Sequence, residues 1–417
     1  MTTTEKLSHP SFIVAAGPLL LVLFIDGMGL GLVFPILNAM IMDPASHLIA
    51  THLSMNARNL IFGATIGVFM LCWFFGAAYL GDLSDQIGRK KSLLICLGGS
   101  FLGYFLSALS VWTNSFSLLV LGRMIAGFTA GSQPIAQAAI VDISTAEHKA
   151  RNIGWILFAI SMGFVFGPLL GGVLSDPALF SGFSYATPFV FASFISLLNA
   201  LLLQLFFHET FYPKVKKKLK LHGAIEVLIS AFRHEKVREL SYIFLVMVFG
   251  WSSFYTFISM FLFKAYQFST LHISLFMGVL GIGFGIGNGF LVDLYTSHFR
   301  LKSIVITNLL LAAFFVLIIV GTNIPLYAWL AVLPVGAFGA AAYAVILTIF
   351  SNQVDADSQG WVMGITGAIM AFAFGINSVF VALLAGIGVR IPLILAVLGL
   401  ALSAVMMFLM YREKSPT

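Results

Sequence analysis

Charge is what this chain has least of. Of its 417 residues only 9% are Asp, Glu, Lys or Arg, against about a quarter in a water-soluble domain. So few charges cannot cover a soluble surface, and a freely soluble protein is excluded. Cysteine is almost absent too. Cys72 and Cys96 each lie inside an apolar stretch, which argues for neither a disulfide framework nor a thiolate metal site. None of the nine histidines falls at the centre of an apolar run, and the spacing of His47 and His52 suits no standard metal motif. No metal and no cofactor are expected.

What the chain has is apolar length. It is 60% hydrophobic with a mean hydropathy of +1.02. Twelve runs lie near residues 12–34, 59–80, 92–111, 116–140, 153–174, 185–207, 240–262, 273–295, 303–321, 326–350, 361–386 and 391–411. About 20 apolar residues cross a bilayer as a helix, and runs of this length in lipid are helical because a helix satisfies its own backbone. The first run is too long, and its glycines too internal, for a cleaved signal peptide. The expected fold is all-α and integral to the membrane, with twelve transmembrane helices in two pseudo-symmetric six-helix bundles.

Twelve spans put both termini on one side, and the charges say which. Eighteen Lys and Arg fall on the side of the termini: Lys6, the 89–91 cluster, Lys149 and Arg151, eight between 214 and 238, Arg300 and Lys302, Arg412 and Lys414. The other side holds Arg58, Lys264 and Arg390, and Arg123 stays inside a span. This bias places both termini in the cytoplasm. The net charge of +6 then reports topology and anionic lipid headgroups at the cytoplasmic face; nucleic acid is not an expected partner.

The longest polar stretch, residues 208–239, follows the sixth span. It divides the chain into residues 1–207, a cytoplasmic linker, and 240–417. Ile225, Leu228, Phe232 and Leu240 in and beside it suit either a short helix on the membrane surface or a solvated basic linker. The two halves echo one another at an offset of 208 residues: Gly81 and Asp85 correspond to Gly289 and Asp293, and "FVFGP" (164–168) to "FAFGI" (372–376). Many transporters are built from such repeats, with two bundles rocking about a midplane site.

Four stretches carry a more specific likeness. "GDLSDQIGRKK" (81–91) resembles the loop signature between helices 2 and 3 of the major facilitator superfamily. "LGRMIAGFTAG" (121–131) resembles its helix 4 signature with a buried arginine. "GFVFGPLLGG" (163–172) resembles the helix 5 pattern of its antiporter branch. "LFIDGMGLGLVFPIL" (23–37) is similar to helix 1 of the twelve-helix drug:proton antiporters, and to the tetracycline-efflux group in particular. The resemblance covers essentially the whole chain. It implies the fold, proton coupling and export of a small organic molecule, without naming the cargo.

The same stretches have their own physics. Gly81 and Gly88 permit a tight cytoplasmic turn, which Arg89 and its neighbours hold at the inner face. Asp85 suits the positive end of a neighbouring helix, and the resemblance implies that this is helix 11. Asp142, at the cytoplasmic end of span 4, is a candidate partner for Arg89. Together these groups form a candidate cytoplasmic gate. Gly163, Gly167, Gly171 and Gly172, with Pro168, flatten one side of span 5. Gly281, Gly285 and Gly289 do the same for span 8, and small residues four apart let membrane helices approach closely. Spans 5 and 8 are therefore expected to meet.

An acid inside a span costs about 2.5–3.5 kcal/mol on insertion scales and is a functional candidate for that reason. Asp26 is such an acid. It and Arg123 are expected about 5 Å to the outer side of the bilayer centre, at about 1.5 Å of rise per residue. Two opposite charges at one depth are expected to be coupled, directly or through water. Whether Arg123 is close would then decide whether Asp26 holds its proton. Gln133, Gln137, Asn199, Trp251, Tyr255 and Asn377 are the candidate cargo-cavity residues; aromatics with a few hydrogen-bonding groups suit an amphiphilic organic molecule.

Departures from the pattern lie in the second half. The loop after span 8 has no arginine in the place of Arg89, and Ala331 stands where Arg123 would repeat. Coupling chemistry is therefore expected in the first half. The leading reading is a proton-driven exporter working by alternating access as a monomer, with small organic cargo and protons as its partners. The alternative is a proton symporter importing a metabolite, sugar or siderophore. An enzyme would need converging nucleophiles or carboxylates at one depth, and a channel a continuous polar stripe; the sequence shows neither.

Overall fold

The structure, a computed structural model, describes residues 9–43, 46–50, 52–144, 148–212, 222–355 and 358–412, with the side chains of 9–15, 149, 150 and 153 left aside. Lys6, the basic run at 214–220, Lys414 and the side chain of Lys149, which all entered the orientation argument, lie outside the described residues.

Among the described residues the regular structure is helical, in the order α1 (His9–Met42), α2 (Met55–Ile87), α3 (Arg89–Trp112), α4 (Phe116–Thr129), α5 (Ser132–Asp142), α6 (Lys149–Ser175) and α7 (Thr187–Phe206). Then come α8 (Gly223–Arg233), α9 (Arg238–Tyr266), α10 (Thr270–Ile286), a π-helical turn (Gly287–Leu291), α11 (Val292–Thr296), α12 (Leu301–Gly321), α13 (Pro325–Asn352), α14 (Gln359–Ala385) and α15 (Ile391–Met410). Eleven of the described spans are long and apolar enough to cross a membrane, counting Thr270–Thr296 as one. The chain is a multi-pass membrane protein.

The twelfth expected span, 116–140, is present as two pieces. Pro134 has no N–H to give the carbonyl of Ala130, and its ring crowds that carbonyl. The helix accordingly stops at Thr129 and restarts at Ser132. The break is packed on α2, since a methyl at Gly131 would meet the Gly76 carbonyl at 2.7 Å. Span 1 is longer than its apolar run suggested, continuing through residues 35–42 as helix.

Two compact units emerge from the packing. The first comprises residues 1–33, 47–49 and 72–224. Its seam is a glycine zipper between α1 and α6, which run parallel. A methyl at Gly163 would meet the Phe24 carbonyl at 2.5 Å, one at Gly167 the Met28 carbonyl at 2.5 Å, and one at Gly171 the Leu32 carbonyl at 2.5 Å. From the other side Gly27 faces the Ile160 carbonyl and Gly31 the Pro168 ring. Gly172 is buried beside them. The span 5 glycines thus have α1 as their neighbour within this unit. Around this seam Leu19, Leu23, Leu93, Leu97, Ile135 and Leu203 form the apolar core.

The second unit comprises residues 34–46, 50–71 and 225–417. Within it the later part of α1 and the earlier part of α2 pack on α9 and α14. Phe34 sits edge-on to Tyr255 at 5.0 Å and Phe62 to Phe257 at 6.0 Å, while Lys264 Nζ donates to Asn59 at 3.1 Å. The glycines of span 8 divide. Gly283 and Gly287 lie on the α13 backbone at Leu333, Gly336 and Ala337; Gly285 and Gly289 have no such neighbour. α8 is the short helix anticipated within the linker, with Ile225 and Ile229 exposed and Phe232 packed on Tyr242 at 5.0 Å.

Candidate functional site

Asp26 is in the middle of α1, within the zipper and next to Gly27. Its carboxylate accepts a hydrogen bond from Ser132 Oγ at 2.6 Å. Ser132 is buried and is the first residue of α5, so the break in span 4 delivers both a hydroxyl and the positive end of a helix to the acid. Of the two couplings expected, direct or through water, the direct ion pair with Arg123 does not occur among the described residues. Ser132 lies nine residues further along the span, beyond the break, and takes the arginine's place as hydrogen-bond partner. Arg123 is buried on α4, and Tyr104 of α3 is within electrostatic reach of both charges. The sequence signal for Ser132 was present in "GSQP" (131–134), a breaker inside an otherwise apolar run.

At the far end of α2 the signature loop differs in part from the expectation: Gly81 and Asp85 lie within α2, so the turn falls at Gly88 alone, while Arg89 does meet Asp142. Arg89 donates to Asp85 at 2.8 Å and to Ser84 at 2.9 Å, and its Nε is 3.6 Å from Asp142. The Phe211 ring lies under the guanidinium at 4.7 Å. Burial raises the Asp142 carboxyl above its ordinary value, with Arg89 and Thr210 acting in the opposite sense. Gly88 has φ +96°, and a side chain there would overlap Glu209. Gly81 has open space around it. Glu209 was missed at the sequence level, where it reads as one more charge in the linker.

The candidate cargo residues separate into two groups. Asn199 is fully buried and donates to the Pro18 carbonyl at 3.2 Å, tying α7 to α1. Asn377 is buried and donates to Ser252 Oγ at 2.7 Å, Ser253 Oγ at 2.9 Å and the Phe249 carbonyl at 3.0 Å. Both are corrected to helix–helix contacts: in a lipid-embedded bundle, buried amides find carbonyls and hydroxyls on the next helix. Trp251 and Tyr255 belong to an aromatic row with Phe284, at centroid separations of 5.6 Å and 6.5 Å from it. Gly339 leaves room for the Trp251 ring. Gln133 and Gln137 are partly buried on α5, one and five residues past Ser132.

A partly buried acid on a zippered helix, a broken fourth span and a charged signature loop can be set beside known proteins. Residues 19–376 match the family model described as Major Facilitator Superfamily. The chain belongs to that superfamily. Among curated members, the class C tetracycline resistance protein of Escherichia coli is 28% identical over 382 residues, covering 87% of this chain and 86% of that protein. The quinolone resistance protein NorA of Staphylococcus aureus (strain MRSA252) is 24% identical over 397 residues, covering 94% and 95%. Of solved superfamily structures, a D-xylose-proton symporter superposes with a TM-score of 0.78 at 19% identity over 97% of this chain and 99% of its own. The human organic anion transporter MFSD10 gives 0.70 at 20% identity, over 95% and 99%. These two establish the fold.

Proposed function

We propose that this superfamily member is a proton-coupled exporter of small amphiphilic organic molecules in a cytoplasmic (inner) membrane, exchanging cargo for protons by alternating access. The observation that carries the reading is Asp26: a carboxyl in mid-span, held by Ser132 at a helix break, in a chain similar along most of its length to drug-resistance proteins. Asp26 takes a proton from outside and releases it inside. One charge moving through 100 mV supplies about 2.3 kcal/mol, roughly a forty-fold gradient per proton. Arg123 biases the acid toward release.

In this reading residues 1–207 and 240–417 are the moving parts, joined by 208–239, and the transporter works as a monomer with both termini cytoplasmic. The Arg89 cluster acts as the cytoplasmic gate. The aromatic row of Trp251, Tyr255 and Phe284 meets the cargo in the second unit, and Gln133 and Gln137 are the candidate cargo contacts of the first. The exposed Ile225 and Ile229 of α8 rest in the anionic inner leaflet beside the basic linker.

The test is transport in oriented proteoliposomes. Tetracycline, a quinolone and other amphiphilic aromatics are first screened for thermal stabilisation of the purified protein, and stabilising compounds are followed under an imposed pH gradient. Exchange predicts proton efflux from the vesicle lumen on cargo uptake; co-entry of protons with cargo would instead make the chain a symporter. Asp26→Asn should insert and express yet lose gradient-driven transport. Unaltered active transport by that variant would remove Asp26 from the mechanism.

A further inference from the structure

Tyr104 is buried on α3, and nothing in the sequence patterns gives it a role. The structure fixes it at both ends. At its backbone end α3 crosses α4 through two glycines: a methyl at Gly103 would meet the Gly122 carbonyl at 2.8 Å and the Ala126 nitrogen at 2.7 Å, and one at Gly122 would meet the Gly103 carbonyl at 2.6 Å. The residues following those glycines are Tyr104 and Arg123. At its other end the phenol oxygen lies against the α1 backbone at Gly29, where any side chain would overlap it. Gly29 is three residues beyond Asp26 and shares its helix face. The hydroxyl is therefore about one turn from the carboxyl and within electrostatic reach of both Asp26 and Arg123. Among the described residues no hydrogen bond occupies it.

We propose that Tyr104 is the positioning residue that couples Arg123 to Asp26, an inference resting on the reading of Asp26 as the proton site. A phenol suits the task because it donates one hydrogen bond and accepts others. It can turn its O–H to a carboxylate while offering a lone pair to a guanidinium. When Asp26 is charged, Tyr104 joins Ser132 as a donor to it. When Asp26 carries the proton, the acid is itself a donor and the phenol turns to accept. Only hydrogen bonds change, so the step needs no further reactant.

The groups around Asp26 leave few competitors for this role. α3 brings Cys96 and Tyr104, α4 brings Arg123 and α5 brings Ser132. α6 faces α1 with glycines and backbone, and no titratable side chain occurs between Gly154 and Ser175. α7 carries none from Thr187 to Phe206. α2, which meets the break at Gly76, brings Tyr79, whose ring packs on Phe128 at 5.8 Å.

The test needs no cargo. Infrared titration of the purified full-length protein follows the carboxylic acid band that disappears in Asp26→Asn. In Tyr104→Phe the pH midpoint of this band should shift by about one unit, a tenfold change in proton affinity, because the phenol that serves the charged and the protonated acid differently is gone. Gly29→Ala, which keeps the phenol but displaces it, should shift the midpoint likewise and serves if the first variant does not fold. Tyr343→Phe removes a partly buried hydroxyl of the second unit and should leave the band in place. A band that titrates as in the parent in both Tyr104→Phe and Gly29→Ala overturns the inference alone. Absence of any titrating Asp26 band in the parent overturns the proton reading as well.

Discussion

Glu209 and Arg89 are joined through the backbone, across 120 positions of sequence. Glu209 Oε1 accepts the Arg89 N–H at 2.8 Å, and its other oxygen accepts the Lys90 N–H at 3.1 Å. α3 begins at Arg89, and Gly88 before it has no side chain to cap the helix, so a carboxylate from beyond α7 supplies the cap. The charge is placed where the helix dipole favours it. The same Oε1 accepts the N–H groups of Thr210 and Phe211 at 3.0 and 3.1 Å, and Phe211 is the ring beneath Arg89. The signature loop is thus held in place from the start of the linker.

Replacing Glu209 by Ala should therefore cost about 1 kcal/mol, the usual worth of a helix cap. It should also loosen the Arg89 cluster. The expected readout is a lower Tm with faster cysteine labelling at a reporter placed at position 90. Gly88→Ala should lower the Tm further, because it adds the penalty of about 1–3 kcal/mol for a side chain in a glycine-only backbone region to its overlap with Glu209.

At Asp142 the expected effect depends on pH. Its carboxyl is raised from 3.8, first by burial, so folding favours the protonated form. A group raised in this way contributes stability fully present below its unfolded value and lost as pH rises through its folded value. Asp142→Asn should then hold or raise the Tm at pH 7, and the advantage should fade on acidification below 3.8. The Arg89 contact itself needs the carboxylate, so in the parent it should open at a pH above the ordinary Asp range. A Tm series across pH for parent and variant checks both statements.

Arg58 is a third case. It is 1% exposed and donates to the carbonyls of Ile41 at 2.8 Å, Asp43 at 3.1 Å and Ala50 at 3.3 Å, closing the end of α1. Arg58→Ala strands these carbonyls, at about 1–3 kcal/mol for each that stays buried and unpaired. A large fall in Tm and in membrane yield is expected, with Arg58→Lys recovering part of it.

The zipper gives the sharpest steric prediction. Gly167→Ala puts a methyl 2.5 Å from a main-chain oxygen that has no side chain to swing aside. α1 and α6 must then separate, lowering thermal stability and transport together. Gly285→Ala, a similar change into open space, should do neither.

Much of this was legible in the sequence because the membrane writes plainly. Apolar length located the spans, and the glycine spacing at 163–171 announced a flat helix face. The Arg89–Asp142 contact also followed from charge and position along the spans. What the sequence concealed was choice of neighbour. Glycine spacing shows that a face is flat and is silent on which helix fills it, and α1 fills the one on α6. Asn199 and Asn377 looked like cargo contacts because a buried amide reads the same whether it faces a ligand or the next helix. Pro134 in a hydrophobic run was a real signal of a break, and the apolar residues around it outweighed it.

The α1–α6 seam also bears on where such a transporter can vary. Backbone lies on backbone there, so any enlargement beside Asp26 is selected against before it can alter cargo preference. Variation has to gather where there is room, as on the face of α10 around Gly285. Variants selected for altered transport should carry their changes there and leave the acid-bearing helix as it was.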